Sequence, residues 1–413
     1  MQHLYSIFVF ISSFVLRVVA PFQYKIGLFV KGRKHVFADL EKAFQKEDEV
    51  LWFHAASLGE FEQGRPVIEK IKQDFPKYKI LLTFFSPSGY EVRKDYEKAD
   101  FVCYLPLDTK RNVHRFFKCV QPKLAVFIKY EFWPNYLSAL NKRNIPTFLV
   151  SGIFRSNQIF FKSYGKWMRN HLHTFSHFFV QDENSSNLLK TIGFENHTIS
   201  GDTRFDRVAD ILKRDNSLKF INEFKADSYT VVAGSTWKED EVNLVAYINT
   251  HAGADEKFII APHNIKAEEI NALQKRIEKK VVLYSEMKNK ELKNYQVFII
   301  DTIGILTKIY SIADVAYVGG GYTKSGIHNV LEPATFGVPI VIGPNYKKFK
   351  EASDLIKVGA CVATSGAEQL SEELLLLKKN TELRKIRGQA SDDFIKSSTG
   401  ASDSIVSYMK KSL

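Results

Sequence analysis

The sequence predicts two doubly wound α/β domains, each a parallel sheet covered by helices on both faces, turned toward a shared central cleft. Three observations carry this expectation. Apolar runs of four to six residues recur along the chain and are continuous rather than alternating, as strands buried on both faces are. Amphipathic stretches of helical period separate them, such as Phe61 to Phe75 with Val67, Ile68 and Ile71 on one face. The series pauses near residue 200 and resumes, splitting the 413 residues into two halves.

The chain opens on LYSIFVFISSFVLRVVAPF, Leu4 to Phe22, apolar except for Arg17 and stopped by Pro21. No Asp or Glu precedes Asp39, whereas Lys25, Lys31, Arg33 and Lys34 follow closely. A signal peptide carries its basic residues before the apolar core, and here they come after it. A full transmembrane span needs about 20 apolar residues, and this run is slightly short and holds an arginine. A helix lying in the interface tolerates both features, because Arg17 snorkels to the headgroups; the bland alternative is an ordinary buried helix. Basic residues after the run keep the following chain cytoplasmic and attract anionic lipid. Residues 1–24 are therefore expected to anchor the protein at a membrane, with its body in the cytosol.

Strands are expected at VLWFHA (50–55), KILLTF (79–84), FVCYL (101–105), LAVFI (124–128), TFLVS (147–151) and HFFV (177–180). After residue 200 they follow at YTVVAG (229–234), FIIAP (258–262), VVLY (281–284), VFIID (297–301), VAYVGG (315–320) and PIVIG (339–343). The first domain then covers residues 25–200 and the second 201–395. Residues 372–413 read as helices, the last segment, 396–413, expected to pack back on the first domain. Ligands are expected at the carboxyl ends of the strands. No repeat, low-complexity tract or heptad array appears.

Composition narrows the function classes. With 33 Phe, 18 Tyr and charges of both signs, the chain is not generally disordered. Cys103, Cys119 and Cys361 are odd in number and lack CxxC spacing, which argues against a disulfide scaffold or zinc cluster and fits a reducing compartment. Lys and Arg number 58 against 46 Asp and Glu, a net charge of +12. That balance suggests an anionic partner: nucleic acid, a membrane surface or a phosphorylated substrate.

Four segments carry candidate chemistry. In His54-Ala55-Ala56-Ser57-Leu58-Gly59-Glu60, small residues around Ser57 and Gly59 let a substrate approach the backbone. The helix start favours the ionised form of Glu60, which is placed to accept a proton. The S-x-x-E spacing reads equally as a capping box. In Lys129-Tyr130-Glu131-Phe132-Trp133-Pro134-Asn135, Glu131 would order a sugar or neighbouring base, or simply pair with Lys129 or an arginine. In Gly201-Asp202-Thr203-Arg204-Phe205-Asp206-Arg207, Arg204 would clamp a phosphate with Asp206 holding it, or form an interdomain salt bridge. Close by, Ala233-Gly234-Ser235-Thr236 ends a strand and fits phosphate contact or capping.

The richest stretch spans residues 318–352. Gly319, Gly320 and Gly321 end a strand, and Gly326 precedes a helix expected from near His328-Asn329. Such glycines let backbone N–H groups meet an anion. Glu332, one turn inside, would accept hydrogen bonds from ribose hydroxyls. The pattern matches neither GxGxxG nor GK[ST], which weakens hydride-transfer and ATPase readings. His328 lacks a metal-ligand partner at i+4 and reads as a polar loop residue without a catalytic role.

Taken together, HAASLGEFEQGRP, KYEFWPN, GDTRFD, APHN, DTIGIL and GGGYTKSGIHNVLEPATFGVPIVIGPNYKKF resemble, in order, the 3-deoxy-D-manno-octulosonic acid (Kdo) transferases of lipopolysaccharide biosynthesis. The resemblance runs from the hydrophobic N-terminus to about residue 370. It implies a GT-B fold with an N-terminal acceptor domain and a C-terminal domain binding CMP-Kdo. It also implies inverting transfer of Kdo to the lipid A precursor (lipid IVA) at the cytoplasmic face of the inner membrane. The family's base falls on Glu60, and its transition-state helpers on Glu131 and Arg204. Contacts to CMP fall on Pro262, His263, Ile303, Gly304, Ile305, Asn329, Val330, Leu331 and Glu332. With Ser57, Gly59, Ser235, Gly320 and Gly321 these make up the expected substrate-binding set.

Relatives often have Lys where Arg204 stands, Arg at the place of His263, Glu at Ile305, and Gly-Gly-His for Gly326-Ile327-His328. No D-x-D pair is present, so no metal is expected, and CMP-Kdo is a donor substrate rather than a cofactor. The expected partners are CMP-Kdo, the lipid A precursor and membrane phospholipid. Two anionic substrates account for the +12 charge without nucleic acid, for which no basic-aromatic module appears. The rivals are another GT-B enzyme, a UDP-sugar transferase or UDP-sugar 2-epimerase, which would prefer a uridine nucleotide, and a catalytically silent sugar-nucleotide sensor.

Overall fold

A computed structural model describes residues 2–413 as two compact units. The chain up to Asp206 together with Thr399–Leu413 forms the first, and Arg207–Ser398 the second. Each is built on a seven-stranded, all-parallel sheet.

The first unit contains β1 (Val50–Ala55), β2 (Lys79–Phe84), β3 (Phe101–Tyr104), β4 (Pro122–Ile128), β5 (Thr147–Gly152), β6 (His177–Val180) and β7 (His197–Ile199). Their order across the sheet is β3-β2-β1-β4-β5-β6-β7. The chain lays down β1 first, builds outward to β3, then crosses back and continues from β4. The topology therefore reverses between β1 and β4, where open parallel sheets leave a crevice at their carboxyl edge. All six residues of β1 are buried, because each face of the sheet has its own apolar core. Trp52 packs with Phe116, Phe127 and Tyr136 on one face, while Phe53 joins Ile68 and Ile71 on the other.

That second core is completed from the far end of the chain. The helix Ala401–Met409 contributes Ile405, Val406 and Met409, all buried, each worth roughly 1.5–3 kcal/mol in removed apolar surface. Its start is fixed by Asp206, whose two carboxylate oxygens accept the backbone N–H of Gly400 (2.5 Å) and Ser402 (2.6 Å). Lys70 pairs with Asp403 at 2.6 Å, and the Tyr78 hydroxyl donates to the Leu413 carbonyl.

The second unit contains β8 (Tyr229–Thr236), β9 (Glu256–Pro262), β10 (Val281–Leu283), β11 (Val297–Ile299), β12 (Val315–Val318), β13 (Ile340–Ile342) and β14 (Cys361–Ala363). The order is β10-β11-β9-β8-β12-β13-β14, so this sheet reverses between β8 and β12. Helices Ala367–Lys379 and Thr381–Ser398 belong to this unit. Two strands were not expected from the sequence, β7 and β14. Both are three-residue edge strands with partly exposed side chains, too short to register as apolar runs.

The N-terminal helix Gln2–Val19 exposes Leu4, Ile7, Phe8, Phe10, Ile11, Phe14, Val15 and Val18. It is tied to the unit by the Tyr5 hydroxyl, which donates to Asp108 Oδ2 at 2.8 Å. Among the described residues no helix is long and apolar enough to cross a membrane. Beside it opens a cavity of about 440 Å³ whose lining includes Arg17, Lys31, Arg33, Lys34 and Arg115 and no acidic side chain. Arg33 is a structural member of this wall. Its guanidinium donates to the carbonyls of Phe29, Leu105 and Phe85 and lies 3.6 Å from the Phe29 ring centroid, and burial pulls its pKa down to about 9.

Candidate functional site

The expected site residues gather at the two topological reversals, one in each unit. In the first, the helix Leu58–Asp74 begins directly after β1 with Ser57 as its N-cap, in an extended conformation. The Ser57 side chain caps nothing, so the capping box that the S-x-x-E spacing also allowed is not formed. Instead the Glu60 carboxylate turns back to accept the Ala56 N–H at 2.5 Å. Gly59 faces open space, with nothing within 4 Å of where a Cβ would stand.

Glu60 is only 6% exposed. Burial, and next the charge of Glu131, push its pKa up to about 7, against the pull of the Ala56 and Ser57 N–H groups and Lys129. The helix start was expected to favour the ionised carboxylate. Desolvation and a like charge outweigh it, and the group titrates near neutrality.

Glu131 follows β4 through Lys129, a non-glycine residue in the left-handed region (φ 70°) held by its N–H to the Val150 carbonyl. Backbone strain of this kind, of order 1–3 kcal/mol, persists where surrounding structure over-determines it. The Trp133 indole N–H donates to Glu131 Oε2 at 2.9 Å and lies 3.1 Å from His54 Nε2. His54, fully buried in β1, is itself 3.3 Å from the same carboxylate oxygen and rests its Nδ1 on the hydroxyl (2.9 Å) and carbonyl of Thr83. His54 and Trp133 were quoted in the sequence motifs without a role. A polar residue inside a six-residue run buried on both faces was the available signal for His54.

The partner of Arg204 is not the one the sequence suggested. Its Nε (2.8 Å) and a terminal nitrogen (2.7 Å) both contact Asp202 Oδ2, and Asp202 Oδ1 accepts the Arg204 N–H at 3.0 Å. Asp202, two residues before it, therefore orients the guanidinium. Asp206 is occupied with Gly400 and Ser402 and does not hold Arg204. Gln63, one turn along from Glu60, approaches both Asp202 oxygens at 3.4 Å.

In the second unit, Ser235, the penultimate residue of β8, lies in the left-handed region (φ 53°). Gly319 must be glycine, because a Cβ there would lie 2.4 Å from the Ser235 carbonyl oxygen; likewise a Cβ on Gly321 would lie 2.5 Å from Gly343 Cα. Asp240, fully buried, ties the two loops together. It accepts the N–H of Trp237 (2.8 Å), the N–H of Gly320 (2.8 Å) and the Tyr317 hydroxyl (2.7 Å). His263 follows Pro262 at the end of β9, its N–H on the Thr236 carbonyl at 2.8 Å.

The helix expected from near His328 starts instead at Leu331 and spans five residues, Leu331–Thr335. Asn329 precedes it, bonding the Leu331 N–H through Oδ1 (3.1 Å) and Glu332 Oε1 through Nδ2 (3.0 Å). Glu332 Oε2 accepts the Thr307 hydroxyl at 2.6 Å. That bond draws the turn after β11 toward the same loop: Ile303 stands 84% exposed, Gly304 adopts φ 91°, and Ile305 precedes helix Leu306–Ile309. Val330 and Leu331 are fully buried.

Trp237, His263 and His328 form a ring stack that sequence reasoning did not anticipate. A cavity of about 680 Å³ adjoins it, lined by Thr236, Trp237, Pro262, Asn264, Glu268 and Arg276 among others; none of the glycine-rich turn reaches it. Among the described residues, no group of three or more His, Cys, Asp or Glu side chains is placed to hold a metal ion.

Comparison with known proteins agrees with the motifs. Residues 31–207 match the family model described as 3-deoxy-D-manno-octulosonic-acid transferase (kdotransferase). The 3-deoxy-D-manno-octulosonic acid transferase of Haemophilus influenzae is 31% identical over 379 residues, 87% of this chain and 86% of that protein. The enzyme of the same name from Aquifex aeolicus is 29% identical over 85% of this chain and 96% of its own. Among solved structures, UDP-GlcNAc 2-epimerase from Neisseria meningitidis superposes with a TM-score of 0.61 over 88% of this chain and all of that one. At 14% identity this is a likeness of fold, two parallel-sheet α/β domains as in GT-B glycosyltransferases. The chain belongs to the Kdo transferase family of lipopolysaccharide biosynthesis.

Proposed function

We propose that this protein transfers Kdo from CMP-Kdo to lipid IVA, the lipid A precursor, with inversion at the anomeric carbon and release of CMP. The observation that carries the reading is Glu60: a buried carboxylate at the carboxyl end of β1, facing the charge of Glu131 and titrating near pH 7. A general base works best when its pKa lies near the working pH.

In this mechanism Glu60 takes the proton from the primary hydroxyl of the acylated glucosamine disaccharide. The freed oxygen attacks the anomeric carbon from the face opposite the nucleotide. The bond from that carbon to the phosphate oxygen breaks, and its electron pair leaves on CMP. Glu131, fixed by Trp133 and His54, supplies negative charge to a reacting centre with oxocarbenium character. Arg204 (aligned by Asp202), Ser235 and the Gly319–Gly321 turn offset charge growing on the phosphate, a role worth several kcal/mol when the groups are pre-set. Pro262, His263, Ile303, Gly304, Ile305 and Asn329–Glu332 form the nucleoside side of the donor site; the chemistry calls for no cofactor.

The acceptor is a lipid, and the reading places the protein at the cytoplasmic face of the inner membrane. The exposed apolar side of helix Gln2–Val19 and the basic cavity beside it suit an interfacial anchor on anionic phospholipid. The test is a mass measurement of the lipid, with CMP release followed in parallel, using CMP-Kdo generated in situ and tetraacyl disaccharide in detergent. Wild type should add one or more Kdo masses and Glu60→Gln none. Consumption of UDP-sugars with CMP-Kdo untouched would overturn the reading.

A further inference from the structure

The three-ring stack in the second unit defines the hydrogen-bonding state of His328. The Trp237 and His328 rings are nearly coplanar, 9° apart with centroids 6.4 Å from each other, and are joined edge to edge by the indole N–H, 2.9 Å from His328 Nε2. The His263 ring lies over this surface, 4.6 Å from Trp237 at 19° and 4.4 Å from His328 at 26°. An indole N–H donates and never accepts, so His328 Nε2 must carry the lone pair and the ring proton must sit on Nδ1. Burial, with His263 adding to it, pulls the His328 pKa down to about 4, so the ring stays neutral at working pH. Nδ1 has no hydrogen-bond partner among the described residues, and it is not among the buried polar atoms that lack one; it is open to a ligand.

Its position points to which ligand. Trp237 follows β8, His263 follows β9, and His328 lies in the loop after β12 with its N–H on the Gly319 carbonyl. The rings thus stand at the reversal between β8 and β12, beside strained Ser235 and the three glycines. Asp240 holds both sides of that reversal through the backbone of Trp237 and Gly320.

We infer that His328 is a phosphate-binding residue of the donor site, its Nδ1–H donating to the nucleotide phosphate, with Trp237 as the positioning residue that fixes the tautomer. The inference rests on the reading that this unit holds the nucleotide. A neutral donor locked in one tautomer gives the phosphate a hydrogen bond in the donor and in released CMP without exchanging a proton with it.

The test compares CMP with cytidine, by calorimetry or NMR titration, on the full-length protein. His328→Ala should weaken CMP by about tenfold or more, the usual worth of a hydrogen bond to a charged group, and leave cytidine unchanged. His328→Asn, whose amide N–H stands near the Nδ1 position, should keep most of the CMP affinity. His328→Gln, whose amide lies at the Nε2 position, should lose it as Ala does. Trp237→Phe should lose part of it and convert the single Nδ1–H tautomer seen by ¹⁵N NMR into a mixture. Equal weakening of CMP and cytidine, or unchanged CMP binding in both Ala and Gln variants, would overturn the inference; should the Ala variant not fold, Asn against Gln decides it. If wild type binds UMP and not CMP, the donor reading fails, and UMP against uridine tests His328 in the same way.

Discussion

Replacing Glu60 with Gln separates the needs of the reaction from those of the fold. Folding raises the Glu60 pKa from 4.5 to about 7. In the unfolded chain the carboxyl ionises near its ordinary value. Between these two values the folded state binds more protons than the unfolded state, so stability falls as pH rises through the window. Above it both states are ionised and the full penalty is present, about 3 kcal/mol at 1.36 kcal/mol per pKa unit. At pH 5 only about 0.8 kcal/mol of it has developed. Gln keeps an oxygen for the Ala56 N–H, carries no charge and does not titrate. Denaturant unfolding of wild type and Glu60→Gln at pH 5 and pH 8 should therefore show a variant that is more stable, by an amount that grows about threefold or more across the range. The same variant should be inactive. In wild type, log kcat/KM should climb with unit slope up to about pH 7 and then level, since only the ionised base accepts a proton. A stability difference independent of pH, or a variant less stable at pH 8, would refute the argument that burial and Glu131 hold this carboxyl near neutrality.

Asp206→Ala should cost about 1 kcal/mol by uncapping helix Ala401–Met409, seen as a lower melting temperature with nucleotide affinity intact. Trp133→Phe keeps the ring but removes the N–H shared by Glu131 and His54, and kcat should drop about 10- to 100-fold with little change in thermal unfolding. Lys31→Gln with Lys34→Gln should weaken binding to phosphatidylglycerol vesicles by about 1 kcal/mol per charge and leave neutral vesicles unaffected, read by co-sedimentation. Gly321→Ala should destabilise the second unit by roughly 1–3 kcal/mol, because its Cβ meets the backbone of Gly343.

Most of the architecture was legible because of one physical habit of parallel sheets. Buried on both faces, their strands write themselves as unbroken apolar runs, and VLWFHA or VAYV needs no periodicity to be recognised. His197–Ile199 and Cys361–Ala363 escaped because an edge strand of three residues need not be apolar. Glu60 and Glu131 stood out as acids at strand ends. The partners that tune them come from elsewhere in the chain: Glu131 presses on Glu60 from the end of another strand, and no local pattern foretells a pKa set by such a neighbour. Asp202 and Asp206 are equally plausible partners for Arg204 on paper; only the turn geometry shows which one reaches it. The ring contact of His328 was not legible because its partner, Trp237, stands 91 residues earlier.

The route of the chain through the first unit bears on how the molecule is made. Its sheet is complete once β7 has emerged, yet one face lacks Ile405, Val406 and Met409 until the whole second unit has been synthesised. During that interval the ribosome carries a nascent sheet with part of one apolar face uncovered, together with an apolar N-terminal helix. Both are adhesive surfaces of the kind that aggregate or recruit chaperones. Closure comes with the helix Ala401–Met409, when Gly400 and Ser402 meet the carboxylate of Asp206 that was laid down nearly two hundred residues before. Damage to that late helix would therefore fall on the unit synthesised first.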